Sequence, residues 1–211
     1  LKDLLISQVA KNEEAILDIK EEVFIDLNEE VFNALLGIGN WFKNKEGTKY
    51  KTLAVEVFEK IIGKREKDGR GHLGLASAYY WLCKEIFKEG GYYSAMFQSV
   101  LPYASLSIKE FEWIRLYTQN FKQSGESIKQ LVAEFSDAYR IQGDCLLRSG
   151  AQKFDEASES YQKALDLNKD NAEAKAGKII ADYHRSIIFL EHNRKNAKSK
   201  FSKVFISFSE S

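Results

Sequence analysis

Residues Gly69 to Gly74 read GRGHLG and fit G-x-G-x-x-G, the glycine pattern with which a loop cradles a phosphate. That chemistry needs a strand running into the loop and a helix N-terminus aimed at the anion. The preceding residues, IIGKREKD, are a charged helix end, so the glycines are expected to serve close helix packing instead. The three histidines are His72, His184 and His192. His184 and His192 would lie about 12 Å apart along a helix, too far to share one metal ion. No Cys or carboxylate stands beside them at ligand spacing, so neither a metal nor a cofactor is expected. Cys83 and Cys145 each fall inside an apolar run, the setting of buried thiols. A disulfide between them is left to geometry. Serines are abundant but none sits on a strand-to-helix elbow. The acidic pairs Glu13–Glu14 and Glu21–Glu22 fall on solvent faces. A non-enzymatic protein is therefore expected.

What remains with chemical potential is aromatic and charged: Trp41, Phe42, Tyr80, Trp81 and the charges of residues 137–148. The elements that position them read as helices throughout. A single proline among 211 residues leaves few interruptions, which favours helices over a turn-rich β fold. Residues 1–24 form an amphipathic pattern, with Leu4, Leu5, Val9, Ile16, Ile19 and Val23 opposite an acidic face, and suit an N-terminal cap. Helices are expected over 28–44, 48–66, 69–88 and 92–101. A turn or kink at Pro102 separates the last from a helix over 105–123. A long helix over 127–149 follows, and Gly150 is placed to end it. Ala157, Tyr161, Ala164 and Leu165 mark the next helix. Asn171 caps a further one reaching 193, and a last helix over 195–209 carries Phe201, Val204, Phe205 and Phe208 at helical spacing. About nine helices, no strand, and one domain over 1–211 are expected.

The best-formed pair, residues 137–171, resembles a tetratricopeptide repeat (TPR). The matching residues are Tyr139, Gly143, Gly150, Phe154, Ala157, Tyr161 and Ala164. Departures are Gln142 where Leu is usual, the extra Ala151 and Gln152 in the turn, and Lys169 where a Pro usually closes the unit. Degenerate pairs lie upstream, with small-residue anchors expected at Gly37 and Ala76. The resemblance implies an all-α, TPR-like, right-handed superhelix of stacked antiparallel helix pairs, with repeats over 28–193 between terminal caps. It further implies that first helices line a concave groove. By register the groove takes Ala34, Ile38, Trp41 and Phe42 from the first pair. The next pair gives Arg70, Leu73, Ser77, Tyr80 and Trp81, and the best-formed pair Asp137, Arg140, Asp144, Leu147 and Arg148. The family's Lys–Asn clamp for a C-terminal carboxylate is not reproduced, because Arg140 and Asp144 stand in its place.

The expectation is a scaffold or adaptor that holds a peptide or partner helix, with Trp41, Phe42, Tyr80 and Trp81 burying apolar side chains and Arg140 and Arg148 reading acidic groups. Two alternatives stand beside it. The aromatics pack instead on the N-terminal helix or the 105–123 helix, or they line a cavity for a small molecule or signal peptide. Lys plus Arg and Asp plus Glu both number 31, which argues against a nucleic-acid binder. The charges are segregated: residues 1–35 hold nine acids and three bases, residues 171–211 eight bases and four acids. Self-association through the two ends is therefore possible in principle, as is docking of the basic C-terminal helix on an anionic surface. No apolar run reaches the length of a transmembrane helix. The chain begins at Leu1 and its single methionine is Met96, so a preceding initiator or leader is expected. Cytoplasmic localisation is the remaining expectation.

Overall fold

The computed structural model describes residues 28–90, 94–117 and 125–209. They are helical throughout, with no strand among them. The helices are α1 (Glu29–Asn44), α2 (Thr48–Lys64), α3 (Gly69–Gly90), α4 (Ser94–Tyr117), α5 (Gly125–Arg148), α6 (Phe154–Leu167) and α7 (Ala172–Ser209). A 3₁₀ turn over Ala151–Lys153 precedes α6.

Local chemistry sets most boundaries. Asn28 caps α1 by accepting from the Val31 N–H at 2.9 Å, and Glu29 and Glu30 occupy its first turn, where the helix dipole favours acids. Gly47 and Gly150 take φ of 102° and 112°, a left-handed backbone that a side chain would strain. Asn171 caps α7 by accepting from the Ala174 N–H at 3.0 Å, while its amide donates to the Ser136 hydroxyl at 3.0 Å. The cap is thereby tied to α5.

Two expected breaks are absent. α4 runs through Pro102 from Ser94 to Tyr117, so the helices expected over 92–101 and 105–123 are continuous there, while residues 92–93 and 118–123 lie outside the described ones. Pro102 is exposed, which lets water satisfy the carbonyl its ring leaves without a donor. Likewise α7 is one helix of 38 residues, and the helices expected over 171–193 and 195–209 are continuous. No Gly or Pro interrupts that stretch after Gly177. The cap expected over 1–24 lies outside the described residues.

Each helix packs on the next. In addition α1 touches α3, α3 touches α5, and α5 touches α7. The odd-numbered helices therefore share one layer. Apolar residues form two clusters: one across α1, α2 and α3 around Phe32, Phe42, Phe58 and Ile61, the other from α3 to α7 around Phe97, Phe111, Ile141 and Tyr161. Helix α3 feeds both, since Leu75, Ala78, Tyr79 and Leu82 face one way and Ala76, Tyr80 and Cys83 the other.

The packing turns on two rings wedged between glycines. A Cβ on Gly39 or Gly74 would stand 2.6 or 2.1 Å from the Phe58 ring. On Gly143 or Gly177 it would stand 2.8 or 2.3 Å from the Tyr161 ring. An aromatic from an even helix thus reaches the backbones of both odd helices flanking it. The anchors expected at Gly37 and Ala76 fall two residues away from Gly39 and Gly74. Of the phosphate-like glycines, Gly71 and Gly74 lie inside α3 against Ile61 and Phe58.

Candidate functional site: a groove along the odd helices

Where α3, α5 and the start of α7 face one another, an open groove of about 480 Å³ forms. Helix α3 contributes Tyr80, Trp81 and Lys84, and α5 contributes Gln130, Ala133, Glu134, Asp137 and Arg140. The turn into α7 adds Asn168, Asp170, Asn171 and Glu173. Helical spacing explains the set: residues 77, 80, 81 and 84 share one face of α3, and 130, 134 and 137 share the opposing face of α5.

The walls are joined by hydrogen bonds to carboxylates. The Ser77 hydroxyl donates to Glu134 at 2.8 Å, the Trp81 indole N–H to the same carboxylate at 3.4 Å, and the Gln130 amide at 3.2 Å. These donors are neutral, and the same carboxylate acts on the Lys43 ammonium of α1, whose charge burial disfavours and Glu134 favours. The Tyr80 hydroxyl donates to Asp137 at 3.0 Å, and the Lys84 ammonium stands 3.5 Å from that carboxylate. Burial and the facing Asp137 push the Tyr80 hydroxyl far above its ordinary pKa.

Arg140 lies between Asp137 and Asp144; its guanidinium donates to both, the second at 2.5 Å. Burial opposes its charge, but the two carboxylates outweigh that and hold it protonated. Asp144 also accepts from the Tyr161 hydroxyl at 2.6 Å. Burial raises the Asp144 carboxyl above the usual carboxylate range. At Asp137 burial pushes the same way, yet Arg140, Lys84 and Tyr80 together pull the carboxyl below it. The groove thus lines up Glu134, Asp137, Asp170 and Glu173 against Lys84 and an Arg140 already committed to two acids.

Of the sequence-predicted groove residues, Tyr80, Trp81, Asp137 and Arg140 come together here, and Ser77 donates to Glu134 in the wall. Asp144 stands behind Arg140 as its second acceptor. The others lie elsewhere. Phe42 is wholly buried and stacks on Tyr50 with centroids 6.3 Å apart, a core position that no partner reaches. Ala34 and Ile38 are buried with it. Trp41 is half-buried, edge-on to Phe42, with the Lys45 ammonium 3.8 Å from its ring centre. Arg70 pairs with Asp68 and Glu29 and covers the Phe32 ring. Arg148 is turned to α4, its guanidinium 4.4 Å from the Phe97 ring centre. Sequence reasoning missed Lys84, Gln130 and Glu134, although the same spacing carried one turn further along α3, and one and two turns back along α5, would have reached them. Asp170, Asn171 and Glu173 carry no such signal, because they meet the groove only through the fold of the α6–α7 turn.

Groups singled out elsewhere are internally satisfied. His72 is buried, with Nδ1 2.5 Å from the Glu110 carboxylate and its ring stacked on Trp113 at 3.6 Å. Its Nε2 donates to the Glu66 carbonyl at 2.7 Å. Cys83 and Cys145 are free, buried thiols, and burial pushes Cys145 up to about 12. Among the described residues no group of three or more His, Cys, Asp or Glu is placed to hold a metal ion.

Fold and groove together define an all-helical protein of consecutive paired helices with an aromatic, acidic channel along one layer. No protein-family model, curated protein or solved structure matches the chain. No described helix is long and apolar enough to cross a membrane.

Proposed function

We propose that the chain is a TPR-like right-handed superhelix acting as a non-enzymatic interaction module, and that its groove holds a basic peptide or partner helix. The contacts of each odd helix with the next, and the rings clamped between glycines about one repeat length apart, support the TPR-like reading. The observation that carries the functional reading is the lining of the α3–α5 channel. Two aromatic side chains lie among four carboxylates, and the one guanidinium present is already neutralised. A Lys or Arg entering there meets Glu134, whose hydrogen-bond donors are uncharged, and the faces of Tyr80 and Trp81. The expectation that Arg140 reads acidic groups gives way to the opposite polarity, because its donors already face Asp137 and Asp144. An enclosed small-molecule cavity is the weaker alternative. The volume is in the usual range for such sites, but the channel is open and mostly polar.

Binding to arrays of Lys/Arg-containing and Asp/Glu-containing peptides, followed by titration in solution, tests this. Basic peptides are expected to bind, more weakly at high salt. Trp81→Ala should weaken them at least ~10-fold, as truncation of an interface aromatic typically does, with the helical circular dichroism retained. A preference for acidic peptides, or a Trp81→Ala variant that loses its helicity, would remove the proposal.

A further inference from the structure

Helix α7 occupies the place of a first helix in a pair, yet no described second helix covers it. Its inner face, through Ala174, Gly177 and Ala181, is buried on α5 and α6. The opposite face carries Ile179, Tyr183 and Leu190 at 70%, 63% and 65% exposure, with Ile180 beside them. Ile180, Tyr183, Ile187 and Leu190 follow a 3-4-3 spacing, which is the seam of a two-helix coiled coil. The sequence keeps that register along the same helix at Ala197, Phe201, Val204 and Phe208, with Arg194 within it. Such a seam asks for one partner helix laid along it.

Charge selects the occupant. From residue 179 to 209 there are six bases against Asp182 and Glu191. Residues 1–24 hold six acids against three bases, and Leu5, Val9, Ile16, Ile19 and Val23 fall in a heptad register of their own. Two α7 helices from two copies would bring twelve bases together. The acidic segment removes that repulsion. Its own copy cannot place it side by side with α7. The segment leads directly into α1, and three interhelical steps of 8–10 Å separate α1 from α7, about 25–30 Å. Residues 24–28 span at most about 17 Å.

We infer that the uncovered seam of α7 receives residues 1–24 of a second copy of this chain, so that copies join head to tail. Such an interface is heterologous and leaves each end open for another copy. It uses a different face from the groove and does not rest on the groove's function.

Sedimentation of the full chain is the test. Wild-type mass should rise with concentration above 24.2 kDa, with association at least ~10-fold weaker in 1 M than in 0.1 M salt. Tyr183→Glu with Leu190→Glu, both at exposed positions, should give a monomer, as should Ile16→Glu with Ile19→Glu. Mixed one to one, the two variants should form a dimer and stop, since each retains one intact surface. Cross-linking a mixture of isotope-labelled and unlabelled wild type should join Lys11 or Lys20 of one copy to Lys195 or Lys198 of another, whatever the variants' folding. Trp81→Ala should leave all of this unchanged. The inference is overturned by a wild type monomeric at every concentration, whether or not it sediments with anionic vesicles. A Tyr183→Glu/Leu190→Glu variant that still self-associates, a mixture that stays monomeric, or cross-links confined to single copies would overturn it equally.

Discussion

At Gly177 the space a Cβ would fill holds the Tyr161 ring, 2.3 Å away, in the well-packed interior between α6 and α7. Overpacking of this kind costs roughly 1–3 kcal/mol, against a helix-propensity gain of up to about 1 kcal/mol for Gly→Ala. Gly177→Ala should therefore lower stability by about 1–2 kcal/mol in urea unfolding. Gly63, with nothing within 4 Å, supplies the control: Gly63→Ala should raise stability by about 0.5 kcal/mol. Equal effects at both sites would mean that ring and backbone are not in contact. Asp137 shows the same local control in charge. Its carboxyl is buried, but Arg140, Lys84 and Tyr80 hold it below the ordinary range. The folded pKa lies below the unfolded one, so its contribution is full above about pH 4 and fades as pH falls through the folded value. Asp137→Asn should cost about 1–3 kcal/mol at pH 7 and flatten the acid limb of stability below pH 4, as acid-titrated denaturation would record. An acid limb as steep as wild type would show that Asp137 does not titrate in that window. Much at this scale was legible. Gly39 to Gly74 and Gly143 to Gly177 are separated by 35 and 34 residues, a repeat period in plain view. The register at Gly37 and Ala76 went astray because small residues crowd both helices, and only contact with Phe58 tells which of them meets a ring.

Among the elements, the α1–α2 turn depends on a buried cation. Lys51, 4% exposed, sends its ammonium into the C-terminus of α1 and donates to the carbonyls of Lys43, at 2.6 Å, and Lys45. It thus satisfies carbonyls that no helical N–H can reach, at the negative end of the dipole. Lys51→Met keeps the stem and removes the donors. It should cost about 1.5–3 kcal/mol, the scale of hydrogen bonds to a charged group, with a lowered midpoint in thermal unfolding and little change in helical content. A neutral result would show that water replaces the ammonium. Helix existence was readable from periodicity in every described case, with ends within a few residues. Continuity was not. Pro102 and the polar run Glu191–Asn196 both look like breaks, yet an exposed proline can stay inside a helix, and a long helix without Gly or Pro has no cause to stop.

Two apolar clusters share α3, and among the described residues the main contacts beyond neighbouring helices run along the odd layer. Stability in such a stack is a sum of unit and interface contributions, so the ends should open before the middle. Amide hydrogen exchange should be slowest in α3 and α5, whose neighbours lie on several sides. It should be fastest in α7 beyond Ile180, where one face has no described cover. Uniform protection across all seven helices would point to one indivisible cooperative unit instead.

Composition, periodicity and glycine spacing by themselves determined that this chain forms paired helices with one apolar stripe each, because a helix's buried face is written in residues three and four apart. Tertiary structure alone decided the polarity of the groove. Whether Arg140 is available or held, and whether Glu134 meets a cation or neutral donors, depends on side chains up to 57 residues away in the chain. Electrostatics acts through distance in space, and sequence order carries no record of it.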